Sequence, residues 1–178
     1  MKEEKKSDYY DRLFRKSLKY NCHYKESRYY PMWQEVIKLT SPTDFILEIG
    51  CGTGQFARML IDTGRTRYLG FDFSNHAISL CSGINAIEYD AYRPDIYKSA
   101  RYGIVIALEV LEHIDDMKVL GLIRKGVNII FTVPEFDDPA HLRLFKSLEE
   151  VTSRYSPYIK DLHVTKIGRY YLGHGVIV

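Results

Sequence analysis

The stretch ILEIGCGTGQFARML, residues 46–60, constrains the fold more than any other part of the chain. A short apolar run enters three glycines at alternate positions, Gly50, Gly52 and Gly54, and an amphipathic run follows with Phe56, Met59, Leu60 and Ile61 at helical spacing. Apolar runs of this length with turn signals on each side read as buried parallel strands. A strand, a glycine loop and a helix in that order place unpaired N–H groups and a partial positive charge at the helix start, with bare backbone before it.

The rest of the chain repeats the alternation. Strands are expected at 45–49, 67–73, 86–91, 102–110 and 127–134. Helices are expected at 56–64, after Ser74 as N-cap, over DDMKVLGLIRKG to Gly126, and over HLRLFKSLEEVTSRY. Two β-rich segments around Gly168 close the chain, and their short connection favours an antiparallel pair. The expected fold is therefore α/β, a Rossmann-like doubly wound sheet of seven strands, mainly parallel, with an antiparallel C-terminal strand pair. At 178 residues the chain is read as one domain, 1–178, with 1–42 as a helical lead-in or lid that holds six of the fifteen tyrosines between residues 9 and 30.

Composition narrows the function classes. A net charge of +2 announces neither a nucleic-acid nor a membrane surface, and no apolar run approaches the ~20 residues of a membrane span. With no signal-peptide core in the sequence, the chain is expected to be cytoplasmic. Cys22, Cys51 and Cys81 form no CxxC pair, and Cys51 between two glycines reads as a small, unreactive filler.

The loop also limits its ligand. G-x-G-x-G is neither the dinucleotide fingerprint nor a P-loop, so a pyrophosphate suits it poorly. Asp72, eighteen residues after Gly54 at the end of the second strand, is placed to accept from ribose hydroxyls. Ribose without pyrophosphate points to an adenosine carrying a small zwitterionic tail.

ILEIGCGTG followed by YLGFDFS, EYDA and IALEVLEHI resembles the class I S-adenosylmethionine-dependent methyltransferases, in particular the small-molecule group with an LEH motif. The resemblance covers about residues 45–145. It implies S-adenosylmethionine as cofactor, with Glu48 and the backbone of Gly50, Cys51, Gly52 and Gly54 around its methionine. It implies Asp72, with Phe73 beside it, at the ribose, Asp90 and Ala91 near the adenine, and Leu108 and Glu109 lining the site. Gly103, where the family usually has an acid, and IRKGVN, in place of its usual lysine-proline-glycine-glycine turn, depart from the pattern away from these contacts.

The acceptor is read by elimination. The chain has ALEV where amino-methylating enzymes of this fold carry N/D-P-P-[YFW], and no cysteine follows Cys81 to serve a cytosine-C5 enzyme. An oxygen of a small molecule is the leading acceptor. Glu109, Glu112 and His113 stand at E-x-x-E-H spacing, which on a helical turn gives them a common face, and His141 lies in the loop after the fifth strand. The set resembles the metal site of the ubiquinone-pathway O-methyltransferases and of the small-RNA 3′-terminal 2′-O-methyltransferases, and suits Mg²⁺ or Mn²⁺. Many LEH proteins use no metal, so a metal-free site with His113 or His141 as general base ranks ahead of it. Ribose 2′-O-methylation of RNA is the alternative acceptor reading, although near-neutral charge and the lack of a long insertion argue against a nucleic-acid partner. A nicotinamide-dependent oxidoreductase and a non-catalytic cofactor-binding module rank lower. Tyr24, Tyr29 and Tyr30 are expected in a lid, with Trp33 packing a helix on the sheet.

Overall fold

The computed structural model describes residues 2–178. Its strands are β1 (Ile46–Ile49), β2 (Tyr68–Asp72), β3 (Ala86–Glu88), β4 (Ile104–Leu108), β5 (Asn128–Pro134), β6 (Ile159–Ile167) and β7 (Tyr170–Ile177). They form one sheet in the order β3-β2-β1-β4-β5-β7-β6. All neighbours run parallel except β7, which is antiparallel to both β5 and β6.

Side-chain alternation explains why both faces are covered. Leu47, Ile49, Val105 and Phe131 point to one face, where they pack with Tyr97 of α5 (Asp95–Ser99), Val119 of α6 (Asp116–Leu120) and Val151 and Tyr155 of α7 (Leu148–Tyr155). Ile46, Tyr68, Ile106 and Ile130 point to the other. There they meet Trp33 and Val36 of α2 (Tyr30–Lys38) and Phe56 and Leu60 of α3 (Gln55–Asp62). β1 lies between β2 and β4, so the chain reverses its direction of travel across the sheet there, and the C-terminal strand ends open into a crevice.

Two expected helices are shorter than their sequence pattern. α6 stops at Leu120, and Gly126 instead takes a left-handed turn whose N–H donates to the Ile177 carbonyl at 2.8 Å. The run from His141 is not helical before Ser147, whose hydroxyl caps α7 by accepting from the Glu150 N–H. Long-range bonds hold 141–147 in an irregular path: Leu142 N–H donates to the Glu112 carbonyl at 2.7 Å, and Arg143 donates to the Leu111 carbonyl. β3 is also short, ending at Glu88 before the chain turns through Asp90. Ser74 does cap α4 (Asn75–Ser79), accepting from the Ala77 N–H at 3.1 Å. The lead-in holds α1 (Ser7–Lys16), two short 3₁₀ turns and α2. Among the described residues, no helix is long and apolar enough to cross a membrane.

Candidate active site

At the end of β1 the glycine loop turns through left-handed backbone, with φ of 67° at Gly50, 53° at Gly52 and 76° at Gly54. A β-carbon on Gly50 would lie 2.5 Å from Val110 Cγ2, so glycine is required there both for its φ and for the close approach of the next loop. Gly54 caps α3 from behind, and Arg58 ties the loop down by donating to the carbonyls of Thr53 at 2.7 Å and Leu80 at 2.8 Å.

Asp72 ends β2 and is buried. Its Oδ2 accepts from Gly52 N–H at 3.0 Å and its Oδ1 from Ser74 N–H at 2.8 Å, which leaves a lone pair on each oxygen for a ligand. Burial pushes its carboxyl up to about 6. Glu48, on the central strand, accepts from the Tyr68 hydroxyl, and burial raises it to about 7.

After β4, Glu109 adopts φ of 58°, rare for a residue with a side chain, and its N–H donates to Thr132 Oγ1 at 3.0 Å. The following turn closes with His113 N–H on the Val110 carbonyl at 3.0 Å. Glu109 thus precedes the turn rather than belonging to it, yet its carboxyl stays close enough to Glu112 to raise it, and its Oε1 is likewise buried without a hydrogen bond. The ligand atoms that converge are those of Glu112, His113 and His141, all within 4.8 Å of one another. Each histidine fixes its ring through Nδ1, His113 against the Ala140 carbonyl at 3.0 Å and His141 against the Phe136 carbonyl at 3.1 Å. That assigns the proton to Nδ1 and leaves both Nε2 lone pairs free. Burial lowers His113 to about 4 and lowers His141 as well, so both rings are neutral near pH 7. Glu112 is fully buried, with His113 Nε2 at 3.6 Å from its Oε1 and neither oxygen hydrogen-bonded among the described residues.

One cavity of ≈ 250 Å³ gathers these groups. Glu48, Gly50, Cys51, Gly52, Asp72 and Phe73 line it, as do Asp90, Ala91, Leu108 and Glu109 beyond them. Glu112, His113 and His141 complete the wall, and of the residues expected to bind cofactor or metal or to act in catalysis only Gly54 stands outside the lining. Of the tyrosines expected in a lid, Tyr29 reaches the cavity, and Trp33, packed on the sheet as expected, lines it as well. Tyr24 instead packs against the fold and donates to Asp62 at 2.8 Å, and Tyr30 does not reach the cavity.

The sequence predicts a helical lead-in but not that α1 lines the cavity. Its Tyr10, Leu13 and Phe14, at i, i+3 and i+4, line the cavity mouth, with the Tyr10 ring 5.3 Å from Phe73 and edge-on to His113 at 5.9 Å. Lys19 and Arg28, which also line the cavity, were missed too, because two lone cations in a mixed-charge segment carry no spacing signal.

The sequence profile described as "Methyltransferase domain" matches residues 23–155, about three quarters of the chain (133 of 178). The chain belongs to that family and is an S-adenosylmethionine-dependent methyltransferase of class I fold. No curated protein matches it by sequence. Solved structures are similar in fold. The PH0226 protein from Pyrococcus horikoshii OT3 has a TM-score of 0.74 and 16% identity, over 94% of this chain and 99% of that one. A SAM-dependent methyltransferase from Archaeoglobus fulgidus has a TM-score of 0.65 and 16% identity, over 92% and 99%. DhpI, solved as a complex with SAH, has a TM-score of 0.70 and 15% identity, over 94% and 93%.

Proposed function

We propose that the chain methylates an oxygen of a small molecule, and that Glu112, His113 and His141 hold a divalent cation beside the acceptor. The observation that carries this is the Glu112 carboxylate, buried with both oxygens unpartnered, facing two imidazoles whose Nδ1 atoms are tied back. Burial, and then the neighbouring Glu109, push the Glu112 carboxyl well above the usual carboxylate range, so in the cation-free protein it holds a proton that a bound ion would replace. One carboxylate and two neutral imidazoles, each anchored through its second nitrogen, are a ligand set suited to Mn²⁺, Mg²⁺ or a similar ion. Such an ion, when bound, lowers the pKa of an oxygen it touches. The structure thus favours the cation over the metal-free site preferred on sequence alone.

The cavity also fits the cofactor. Asp72 keeps acceptor capacity for two ribose hydroxyls, Glu48 suits the methionine ammonium, and Lys19 and Arg28 suit its carboxylate. The Gly50–Gly52 backbone leaves room for the tail, and Asp90 and Ala91 line the adenine side. S-adenosylmethionine supplies an already electrophilic methyl, so the residues' main task is orientation and exclusion of water. Tyr10, between Phe73 and His113, spans the boundary between the cofactor and acceptor halves.

Calorimetric titration of Mn²⁺, then Mg²⁺, into the protein saturated with S-adenosylhomocysteine tests the reading. One ion per chain, lost in His113→Ala and in Glu112→Gln, is expected. Unchanged cation binding in both variants, or none in the wild type, would contradict it.

A further inference from the structure

The buried thiols of Cys51 and Cys81 are used by nothing described so far, although they are residues of the cofactor loop and its support. Cys51 lies inside the glycine loop and lines the cavity; Cys81 lies just past the end of α4, with Leu80, whose carbonyl Arg58 holds, immediately before it. The two thiols are electrostatic neighbours, each shifting the other's titration. Both also converge on one atom, the Gly52 carbonyl oxygen, Cys81 Sγ at 3.5 Å and Cys51 Sγ at 3.9 Å. The third cysteine, Cys22, has other partners: its thiol donates to the Lys19 carbonyl and accepts from Gln55 Nε2, both at 3.4 Å.

We propose that Cys51 and Cys81 are an oxidisable dithiol, and that their disulfide, formed by a peroxide, disables the loop that receives the cofactor. This rests on the placement of the cofactor's methionine end on that loop. A disulfide brings two sulfurs from contact distance to about 2.05 Å and fixes their torsion. That movement is drawn from Cys51, because Cys81 is held back onto the end of α4, its N–H donating to the Ile78 carbonyl at 3.0 Å and its thiol to that of Ala77 at 3.5 Å, while Cys51 sits between two left-handed glycines. Gly52 N–H, which orients Asp72, moves with it.

The chemistry balances with one peroxide. The Cys81 sulfur attacks one oxygen of hydrogen peroxide, the O–O bond breaks, and the departing hydroxide takes the thiol proton and leaves as water, giving a sulfenic acid. The Cys51 sulfur displaces the hydroxyl from that sulfenic acid, the S–S bond forms, and a second water leaves with the Cys51 proton. Two thiols lose two electrons and one peroxide becomes two waters. The neighbouring Cys51 thiol and then the Arg58 guanidinium hold the Cys81 thiol below its usual range despite burial, which suits Cys81 to the first step. Access runs through the cavity wall at Cys51, so a bound cofactor shields the pair.

The test treats reduced wild-type protein and Cys22→Ser with hydrogen peroxide, with and without saturating S-adenosylhomocysteine. Remaining thiols are alkylated, linked peptides are mapped by mass spectrometry, and S-adenosylhomocysteine affinity is measured by calorimetry before oxidation, after it and after reductant. A Cys51–Cys81 link is expected in both proteins, formed about tenfold more slowly with S-adenosylhomocysteine present. The linked protein should bind S-adenosylhomocysteine at least about tenfold more weakly, reversibly. Oxidation confined to Cys22, or a linked protein that binds as tightly as the reduced one, would overturn the proposal. Failure of the reduced protein to bind S-adenosylhomocysteine would instead indict the cofactor placement, since the cross-link is read by mass alone.

Discussion

Two carboxylates set the residue-scale behaviour of the cofactor half. Burial raises Asp72 to about 6 and Glu48 to about 7, and both are proposed to receive hydrogen-bond donors in their ionised form. Binding then favours the ionised state, so affinity for S-adenosylhomocysteine should level off only above about pH 8 and fall as the pH drops through 7 and 6. For stability the sign is opposite. An acid whose folded pKa is raised contributes fully below its unfolded pKa of about 4 and loses that contribution as pH rises through the folded value. Asp72→Asn should therefore weaken binding by about tenfold or more at pH 8 and flatten the acid limb. Calorimetry across pH 5 to 8 checks it, and an unchanged acid limb in the variant would count against the role given to Asp72. Gly50→Ala adds about 1–2 kcal/mol of left-handed strain and a β-carbon 2.5 Å from Val110 Cγ2. A lowered melting temperature together with lost S-adenosylhomocysteine binding is expected.

At the scale of elements, the turn after β4 and the irregular segment 141–147 are held by one buried anchor. Asp116 accepts from Arg154 Nε and Nη2, both at 2.7 Å, and from the Tyr155 hydroxyl at 3.0 Å, and pairs with Arg143 at 3.2 Å. Arg143 in turn donates to the Leu111 carbonyl, one residue before Glu112. Removing a buried carboxylate from two guanidiniums costs about 3 kcal/mol, the low end for such pairs because Arg154 is partly exposed. Asp116→Ala should lower the denaturant midpoint accordingly, and a change within error would show that the anchor is dispensable. This network also explains what the sequence concealed. The strands were legible because Ile46–Ile49, Ile104–Leu108 and Asn128–Pro134 are buried on both faces and read as continuous apolar runs. The path of 141–147 was not, because its helical spacing is overridden by partners some thirty residues away in sequence. The E-x-x-E-H spacing suggested one helical face; Glu109, at positive φ, precedes the turn and stays outside the three groups whose ligand atoms converge, although its carboxyl still raises that of Glu112. His141 was placed correctly beside His113 only because the loops after β4 and β5 open on the same side of a parallel sheet.

Across the whole molecule, α1 and the residues before it form a strap over the cavity, outside the stretch that matches the family profile. Its fastenings are polar and spread along its length: Lys2 on Asp137, the Tyr92 hydroxyl on Glu4 at 2.6 Å, and Ser74 on Asp11 at 2.5 Å. The first two are exposed and individually worth little, whereas Ser74–Asp11 is partly buried and Phe14 and Tyr10 add apolar packing. Deleting residues 2–16 should leave the far-UV circular dichroism of the sheet in place and weaken S-adenosylhomocysteine about tenfold. Loss of the folded signal would show the strap to be part of the core instead. The central claim, oxygen as the acceptor atom beside Glu112, His113 and His141, has its most direct test in the product. The protein, with Mn²⁺ present, is given S-adenosylmethionine labelled with carbon-13 in its methyl group and a panel of phenols, catechols, vicinal diols and amines. The account predicts a methyl resonance in the O-methyl region, abolished by Glu112→Gln and by chelation. A label that appears on nitrogen, or on oxygen at the same rate in Glu112→Gln, would contradict it.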